Sequence, residues 1–244
     1  MNGILIYSRK EAERNVFSVA QFKKYLDVSL VYEEDVDPDM PAGFVVNRTN
    51  HADISESFER RGIRVFNPAS LTRLANNKQK CYEFMRKNGI EIMPIDQTEP
   101  PLVEKPVNGK GGEGVRLIES GKVEIKQGFV YQKPASDLGR DLRVWLIGGK
   151  PICAVLRKSD TDFRSNYCLG GSAEVYELSD AEKRLVCRIA SLVDYDYIGI
   201  DFVFNNGKIV FNEIEDTVGA RMVYAKTDID ILRLYCEYIE KEMG

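Results

Sequence analysis

Two neighbouring stretches constrain this chain more than any others. They are Gly199-Ile200-Asp201-Phe202-Val203 and Phe211-Asn212-Glu213-Ile214-Glu215, separated by Asn205-Asn206-Gly207. Both read as apolar strands, and both carry acids. An Asp amid such apolar neighbours is costly to bury unless a cation compensates it. The turn sets the register. If Asn205-Asn206-Gly207 is a three-residue loop with Gly207 left-handed, Phe204 faces Lys208 and Asp201 faces Phe211. Glu213 and Glu215 then share the face of Asp201, whereas a two-residue turn puts the acids on opposite faces. On one face, each like-charge pair repels by roughly 3 kcal/mol at ~5 Å and an effective dielectric of about 20. One or two hard divalent cations relieve that repulsion, and Mg²⁺ carrying nucleotide phosphates is the natural occupant. A solvated acidic face on two edge strands is the other reading.

The remaining chemistry is narrowed by what the chain lacks. Its single histidine, His51, rules out a multi-histidine metal site and makes a histidine-based triad a poor fit. Five cysteines, Cys81, Cys153, Cys168, Cys187 and Cys236, are an odd number without a CxxC pair, which fits reduced core thiols and a cytoplasmic protein. Among 244 residues, 34 basic side chains against 38 acidic ones leave a net charge of −4, so nothing favours nucleic acid. No apolar run reaches the ~18 residues that span a bilayer. The start, Met1 to Tyr7, reads as a strand and not as an export signal.

The chain divides by pattern. Ile4–Tyr7, Val28–Tyr32, Phe44–Asn47 and Arg64–Phe66 read as short strands. Between them lie a helical stretch carrying Ala12, Val16, Val19 and Ala20, and a polar helix over 51–61. Strands alternating with helices imply a parallel βα domain over 1–70. One or two helices fill 70–89. Strands at 102–106, 115–119, 128–132, 141–147 and 151–157 follow, with Gly148-Gly149-Lys150 as a tight hairpin. Ser179-Asp180-Ala181-Glu182 has the form of a capping box. The last helix carries Ile231, Leu234, Tyr235, Tyr238 and Ile239 on one stripe. The fold class is α/β (α+β), a βα lobe over 1–70 followed by a larger antiparallel α+β unit.

Asn108-Gly109-Lys110-Gly111-Gly112-Glu113-Gly114 contains the letters GxGxxG, but the strand-like Val115-Arg116-Leu117-Ile118 follows it where a dinucleotide fold needs a helix. No GK[ST] closes it as a P-loop, and no HRD segment supports a protein kinase. What remains is a glycine hairpin, either an inert surface turn or a lid whose backbone approaches phosphates. Lys105 precedes it, Lys78 opens a helix after Asn77, and Arg143, Arg157 and Arg164 add positive charge; each alone fits a solvated surface position, together they fit phosphate clamps.

In order and spacing the motifs resemble the ATP-grasp superfamily, in its RimK-like branch of carboxylate–amine ligases. The carriers are Asn77-Lys78, Leu102-Val103-Glu104-Lys105-Pro106, the glycine loop, Val130-Tyr131-Gln132-Lys133-Pro134 and Gly139-Arg140-Asp141-Leu142-Arg143. Phe163-Arg164-Ser165-Asn166, Gly199-Ile200-Asp201 and Asn212-Glu213-Ile214-Glu215 complete the series. The resemblance covers about 70–240 and implies an ATP-grasp fold behind a βα pre-ATP-grasp domain. It also implies two grasp subdomains, a lid over 71–130 and a metal-bearing unit over 131–244.

The same resemblance implies roles. Lys78, Lys105 and the loop glycines Gly109, Gly111, Gly112 and Gly114 would contact ATP phosphates. Gln132, Lys133 and Pro134 would present backbone to adenine, and Asp141 would bind ribose. Asp201, Glu213 and Glu215 would hold Mg²⁺, with Mn²⁺ as an alternative. Arg164, Asn166 and Arg143 would act on the transferring phosphoryl group. Arg48, after Asn47 at a strand end, and Arg221 are candidate carboxylate anchors, because arginine grips a carboxylate through two parallel hydrogen bonds. The implied reaction is amide formation through an acyl phosphate, from small-molecule or peptide acids and amines, in a homodimer. A grasp-fold kinase and a nucleotide-binding protein without turnover are the rival readings. Lys133 stands where the family has an acid, Glu215 where it has Asn, and Asp216-Thr217 where it has small residues.

Overall fold

The computed structural model describes residues 2–109, 111–159, 161–164 and 171–244. The first unit is a four-stranded parallel sheet in the order β2-β1-β3-β4, built from β1 (Gly3–Tyr7), β2 (Val28–Tyr32), β3 (Phe44–Asn47) and β4 (Arg64–Phe66). β1 and β3 are buried along their whole lengths, as continuous apolar runs flanked by helices require. The stretch expected as one helix is two, α1 (Arg9–Arg14) and α2 (Val16–Tyr25), broken at Asn15 (φ −120°). Val16, expected in the core, is therefore 66% exposed. α3 (Ala52–Glu59) closes the unit.

α4 (Ala69–Ala75) and α5 (Lys78–Lys87) leave that sheet behind. Their Leu71, Tyr82 and Met85 pack with Leu142, Ile200, Phe202 and Phe211 in one core. A small antiparallel sheet follows, β6-β5-β7, from β5 (Leu102–Pro106), β6 (Arg116–Ile118) and β7 (Phe129–Gln132). The glycine loop joins β5 to β6. The largest sheet is antiparallel, in the order β10-β9-β8-β11-β12. Its strands are β8 (Asp137–Ile147), β9 (Lys150–Lys158), β10 (Ser172–Val175), β11 (Tyr197–Asn205) and β12 (Lys208–Glu215). β10 was not expected: Ser172-Ala173-Glu174-Val175 has no alternation to reveal it, and pairing with β9 alone makes it a strand.

The helices of this half bind the two sheets together. α6 (Asp180–Ala190) starts on the expected capping box: the Ser179 hydroxyl accepts from the Glu182 N–H at 3.3 Å, and Glu182 accepts from the Ser179 N–H at 2.8 Å. A short α7 (Arg221–Lys226) precedes α8 (Ile231–Met243). α8 buries Ile231, Leu232, Tyr235, Cys236 and Ile239, so its inner face is rotated from the expected one and Leu234 is 39% exposed. Its residues share a second core with Leu5, Val46 and Phe66 of the parallel sheet and with Trp145 and Tyr197 of the antiparallel one. No helix among the described residues is long and apolar enough to cross a membrane.

The hairpin between β11 and β12 departs from the expected three-residue loop. Asn205 pairs with Lys208, and Asn206 (φ 51°) and Gly207 (φ 74°) form a two-residue turn with both central residues left-handed. That turn alone would put the acids on opposite faces. The register shifts between Asp201 and Phe202, however: Phe202 pairs with Phe211 and Asp201 with Glu213. Asn212 is the extra residue of a β-bulge. The bulge restores Asp201, Glu213 and Glu215 to one face.

Candidate active site

The acids converge beneath the small sheet. One oxygen from each of Asp201, Glu213 and Glu215 can be chosen so that all three lie within 4.8 Å of one another. Asp201 is buried on β11 and is gripped from two sides. Arg143 on β8, directly opposite in register, donates through Nε at 2.6 Å and a terminal nitrogen at 2.7 Å. Arg157 on β9 donates to the second oxygen at 2.8 Å. Arg143 also reaches Glu215 at 3.2 Å, and Lys78 reaches Glu213 at 3.0 Å. Burial alone would raise the Asp201 pKa, but Arg143 and Arg157 override it and hold the group at about 2. Burial, with Glu213 and Asp201 nearby, raises Glu215 despite Arg143. Like-charge repulsion therefore does not by itself require a metal here, because arginine and lysine already neutralise the acids. The donor type still suits Mg²⁺: three hard carboxylate oxygens gathered on one face.

Lys78 links this face to the glycine loop. It is the first residue of α5, whose Asn77 cap accepts from the Lys80 N–H at 3.0 Å, and its own N–H donates to Val107 O at 2.9 Å. Its ammonium donates to Gly109 O at 2.6 Å while pairing with Glu213. Burial pulls its pKa down, but Glu213 more than offsets this and holds it above the usual lysine value. Lys105 on β5 donates to Gln132 Oε1 at 2.7 Å, Asn212 Oδ1 at 2.8 Å and the Tyr82 hydroxyl at 3.1 Å, all uncharged acceptors. Burial brings it down to about 8.

Lys78, Lys105, Asp201, Asn212 and Glu213 line one cleft, which Gly109, Gly112, Gln132, Lys133, Pro134, Asp141 and Arg164 also border, while Glu215 borders a second cavity. A model of the RimK-like ATP-grasp domain matches residues 70–239. The chain belongs to this family.

A probable alpha-L-glutamate ligase of Methanococcoides burtonii is 28% identical over 218 residues, 78% of this RimK-like chain and 71% of that protein. One of Shewanella pealeana is 26% identical over 216 residues, also 78% of this chain but only 47% of that protein, so the match spans about half of it. Among solved structures, the ATP-grasp ligase PsnB complexed with minimal precursor, Mg and ADP superposes with a TM-score of 0.73 at 16% identity, covering 99% of this chain and 97% of that one. At that identity the likeness shows the fold alone.

Position by position, the structure brings Lys78, Lys105, Asp141, Arg164, Asp201 and Glu213 to one cleft, with partners that differ from expectation. Asp141, expected to be open to ribose, is clasped by Arg157, which donates to both of its oxygens. In the segment expected to face adenine, the Lys133 N–H already donates to Pro94 O at 2.8 Å, and the Gln132 side chain donates to Met93 O at 3.1 Å. Arg164 donates to Asp162 at 3.0 and 2.7 Å and to Gly112 O at 3.1 Å, so it hooks the loop from below. The loop turns through Gly111, Gly112 and Gly114, all at positive φ, and at Gly114 an added Cβ would lie 2.9 Å from Pro106. Asn166 lies outside the described residues. Arg48 and Arg221 line the second cavity, which Glu215 and Gly111 also border. Arg157, expected among phosphate clamps, instead holds Asp141 and Asp201, and Asn212 stands in a quoted motif without an assigned role. The bulge gives Asn212 its place, and no local spacing announces it.

Proposed function

We propose that this chain is an ATP- and Mg²⁺-dependent carboxylate–amine ligase that makes an amide through an acyl phosphate. The arrangement that supports this is Lys78, which ties the glycine loop at Gly109 to Glu213 of the three-acid face. A triphosphate bound between loop and acids would meet Lys78, Lys105 and the backbone of Gly109 to Gly114. Asp201, Glu213 and Glu215 would hold Mg²⁺, which supplies neutralisation of the phosphate charge. The backbone from Gln132 to Ala135 would face adenine, with the Lys133 carbonyl available although its N–H is engaged.

The reaction needs no covalent enzyme intermediate. A substrate carboxylate oxygen attacks the γ-phosphorus and ADP leaves. A substrate amine then attacks the acyl carbon, inorganic phosphate leaves, and the nitrogen loses a proton. The contribution of the protein is positioning and charge. Arg143 keeps Asp201 ionised beneath the site, and Arg164 holds the loop at Gly112. Small-molecule and peptide acceptors both fit this reading. PsnB, crystallised with a precursor peptide, is a fold-level precedent for the latter. The free thiols of Cys81, Cys153, Cys187 and Cys236 suit a reducing, cytoplasmic setting.

The test is a screen of amino acids and short peptides with Mg²⁺ and ATP, reading ADP, phosphate and product mass. An amide with one ADP and one phosphate released per bond is the expected result. A phosphorylated product without amide would replace the ligase reading with a kinase, and tight nucleotide binding without turnover would replace it with a binding protein.

A further inference from the structure

β4 ends at Phe66, and the residue after it, Asn67, is only 4% exposed. Its carboxamide has two donor hydrogens and two acceptor lone pairs, and all four are used. Oδ1 accepts from the Asp196 N–H at 2.7 Å and from the Tyr197 N–H at 3.0 Å. Nδ2 donates to Tyr197 O and to Asp216 O, both at 2.8 Å. One side chain at the end of the parallel sheet thus clasps the antiparallel sheet in two places, at the start of β11 and just past the end of β12.

The second place bears on the acids. Glu215 is the last residue of β12, and its pairing with Gly199 is the last of the register. Beyond it the chain is held by side chains. Asn76, just after α4, donates to the Asp216 carboxylate at 3.0 Å, Arg48 to Val218 O at 2.6 Å, and Trp145 Nε1 to Gly219 O at 3.0 Å. The hold on Asp216 O lies nearest to Glu215. Glu215 stands beside Glu213 and Asp201, whose charges oppose its own. A strand end free to fray would let that repulsion carry Glu215 away from the other two acids.

We propose that Asn67 is a positioning residue for the metal face: by fixing Asp216 O it keeps Glu215 in register with Asp201 and Glu213. The proposal rests on the reading of these three acids as the holders of Mg²⁺. Asn67 itself touches neither nucleotide nor ion and takes no proton. The parallel-sheet unit, which supplies none of the acids, thereby takes part in shaping their site. Arg64 provides the comparison within the same junction. It also ties β4 to the approach of β11, but its hydrogen bonds among the described residues go to Asp196 and Val65 O and not to Asp216.

The test is calorimetric titration of AMP-PNP into the full-length protein, once with Mg²⁺ and once with EDTA, with folding of each variant checked by urea unfolding. The quantity read is the ratio of the two affinities, which Mg²⁺ should raise above one in the parent chain. Asn67→Ala should lower that ratio about tenfold, the low end of what is lost when an outer group supporting a metal ligand is removed, and should leave the affinity in EDTA unchanged. Arg64→Met should leave the ratio as it is. In a Glu215→Gln background, Asn67→Ala should lower the ratio no further, since both changes act on the same ligand. If Asn67→Ala does not fold, Asn76→Ala carries the test, with a fall in the same direction and of smaller size. An unchanged ratio in the folded variant, equal weakening with and without Mg²⁺, an equal fall in Arg64→Met, or a full additional loss in the Glu215→Gln background overturns the proposal. A parent chain whose nucleotide affinity ignores Mg²⁺ overturns the reading of the metal face instead.

Discussion

The Lys105 ammonium donates to Asn212 Oδ1 at 2.8 Å, joining the small sheet to the bulge of the large one. Its three acceptors are all uncharged, and burial brings its pKa from 10.5 down to about 8. Two opposite pH dependences follow from this one group. Phosphate binding needs the ammonium, so nucleotide affinity should fall as pH rises through about 8. Folding favours the neutral amine, so its contribution to stability should rise between about pH 8 and the unfolded value of 10.5. Calorimetric titration of Mg²⁺-ATP from pH 7 to 9.5 checks the first, and Lys105→Met should flatten that profile while weakening binding at least tenfold.

Asp201 and Glu213 should separate in what their loss costs. Asp201→Asn leaves Arg143 and Arg157, 14% and 5% exposed, with less counter-charge, and breaking such buried networks costs about 3–5 kcal/mol. Arg143 keeps Glu215 and Arg157 keeps Asp141, which places the expected loss at the low end, about 3 kcal/mol. Glu213→Gln removes only the partner of Lys78, which retains Gly109 O, and should cost about 1 kcal/mol. Both should abolish metal-dependent nucleotide binding. Urea unfolding with calorimetry distinguishes the two costs, and equal stability of the two variants would contradict the network.

Asp196 lies at the junction of the two sheets, accepting from Arg64 on β4 and from the Tyr238 hydroxyl on α8 at 3.0 Å. Burial outweighs Arg64 and raises its pKa from 3.8 to about 6. The fold thus prefers the protonated acid: this group's contribution is fully present below about pH 4 and is lost as pH rises through 6. The shift corresponds to about 3 kcal/mol. Asp196→Asn should therefore gain on the parent chain between pH 4.5 and 7.5 by about 2–3 kcal/mol in urea unfolding, over and above its behaviour at pH 4. A pH-independent difference would show that Asp196 is ionised throughout.

Much of the fold was legible because its signals are local. The apolar runs of β1 and β3, the capping box at Ser179 and the acids of β11 and β12 all follow from short-range pattern. What was not legible depends on distant partners. β10 exists because β9 offers it an edge, and the inner face of α8 is set by packing on α2 and two sheets, which turns Leu234 outward. At the site, the residue types and their order marked stretches that the structure brings to one cleft. The pairing of Arg157 with Asp141 and the neutralisation of the acids by Arg143 and Lys78 required the sheet register. The hairpin is the clearest case. The acids share a face as expected, but through a two-residue turn and a bulge, two departures from the expected register that cancel.

That cancellation can be tested on Asn212 itself. Deleting the residue should straighten β12: Phe211 stays opposite Phe202 and Glu213 stays opposite Asp201, so the acid face and its metal affinity should survive. What disappears is the acceptor for Lys105, and Asn212→Ala removes the same acceptor while keeping the bulge. If the bulge serves to place that amide, both variants should fold, lose about 1–2 kcal/mol as Lys105 gives up one acceptor, and weaken nucleotide binding by a similar factor of roughly ten. Urea unfolding and nucleotide calorimetry on the pair decide the matter. If the deletion alone destroys binding of the magnesium nucleotide, the bulge is needed to aim Glu213 and not only to deliver Asn212 to Lys105.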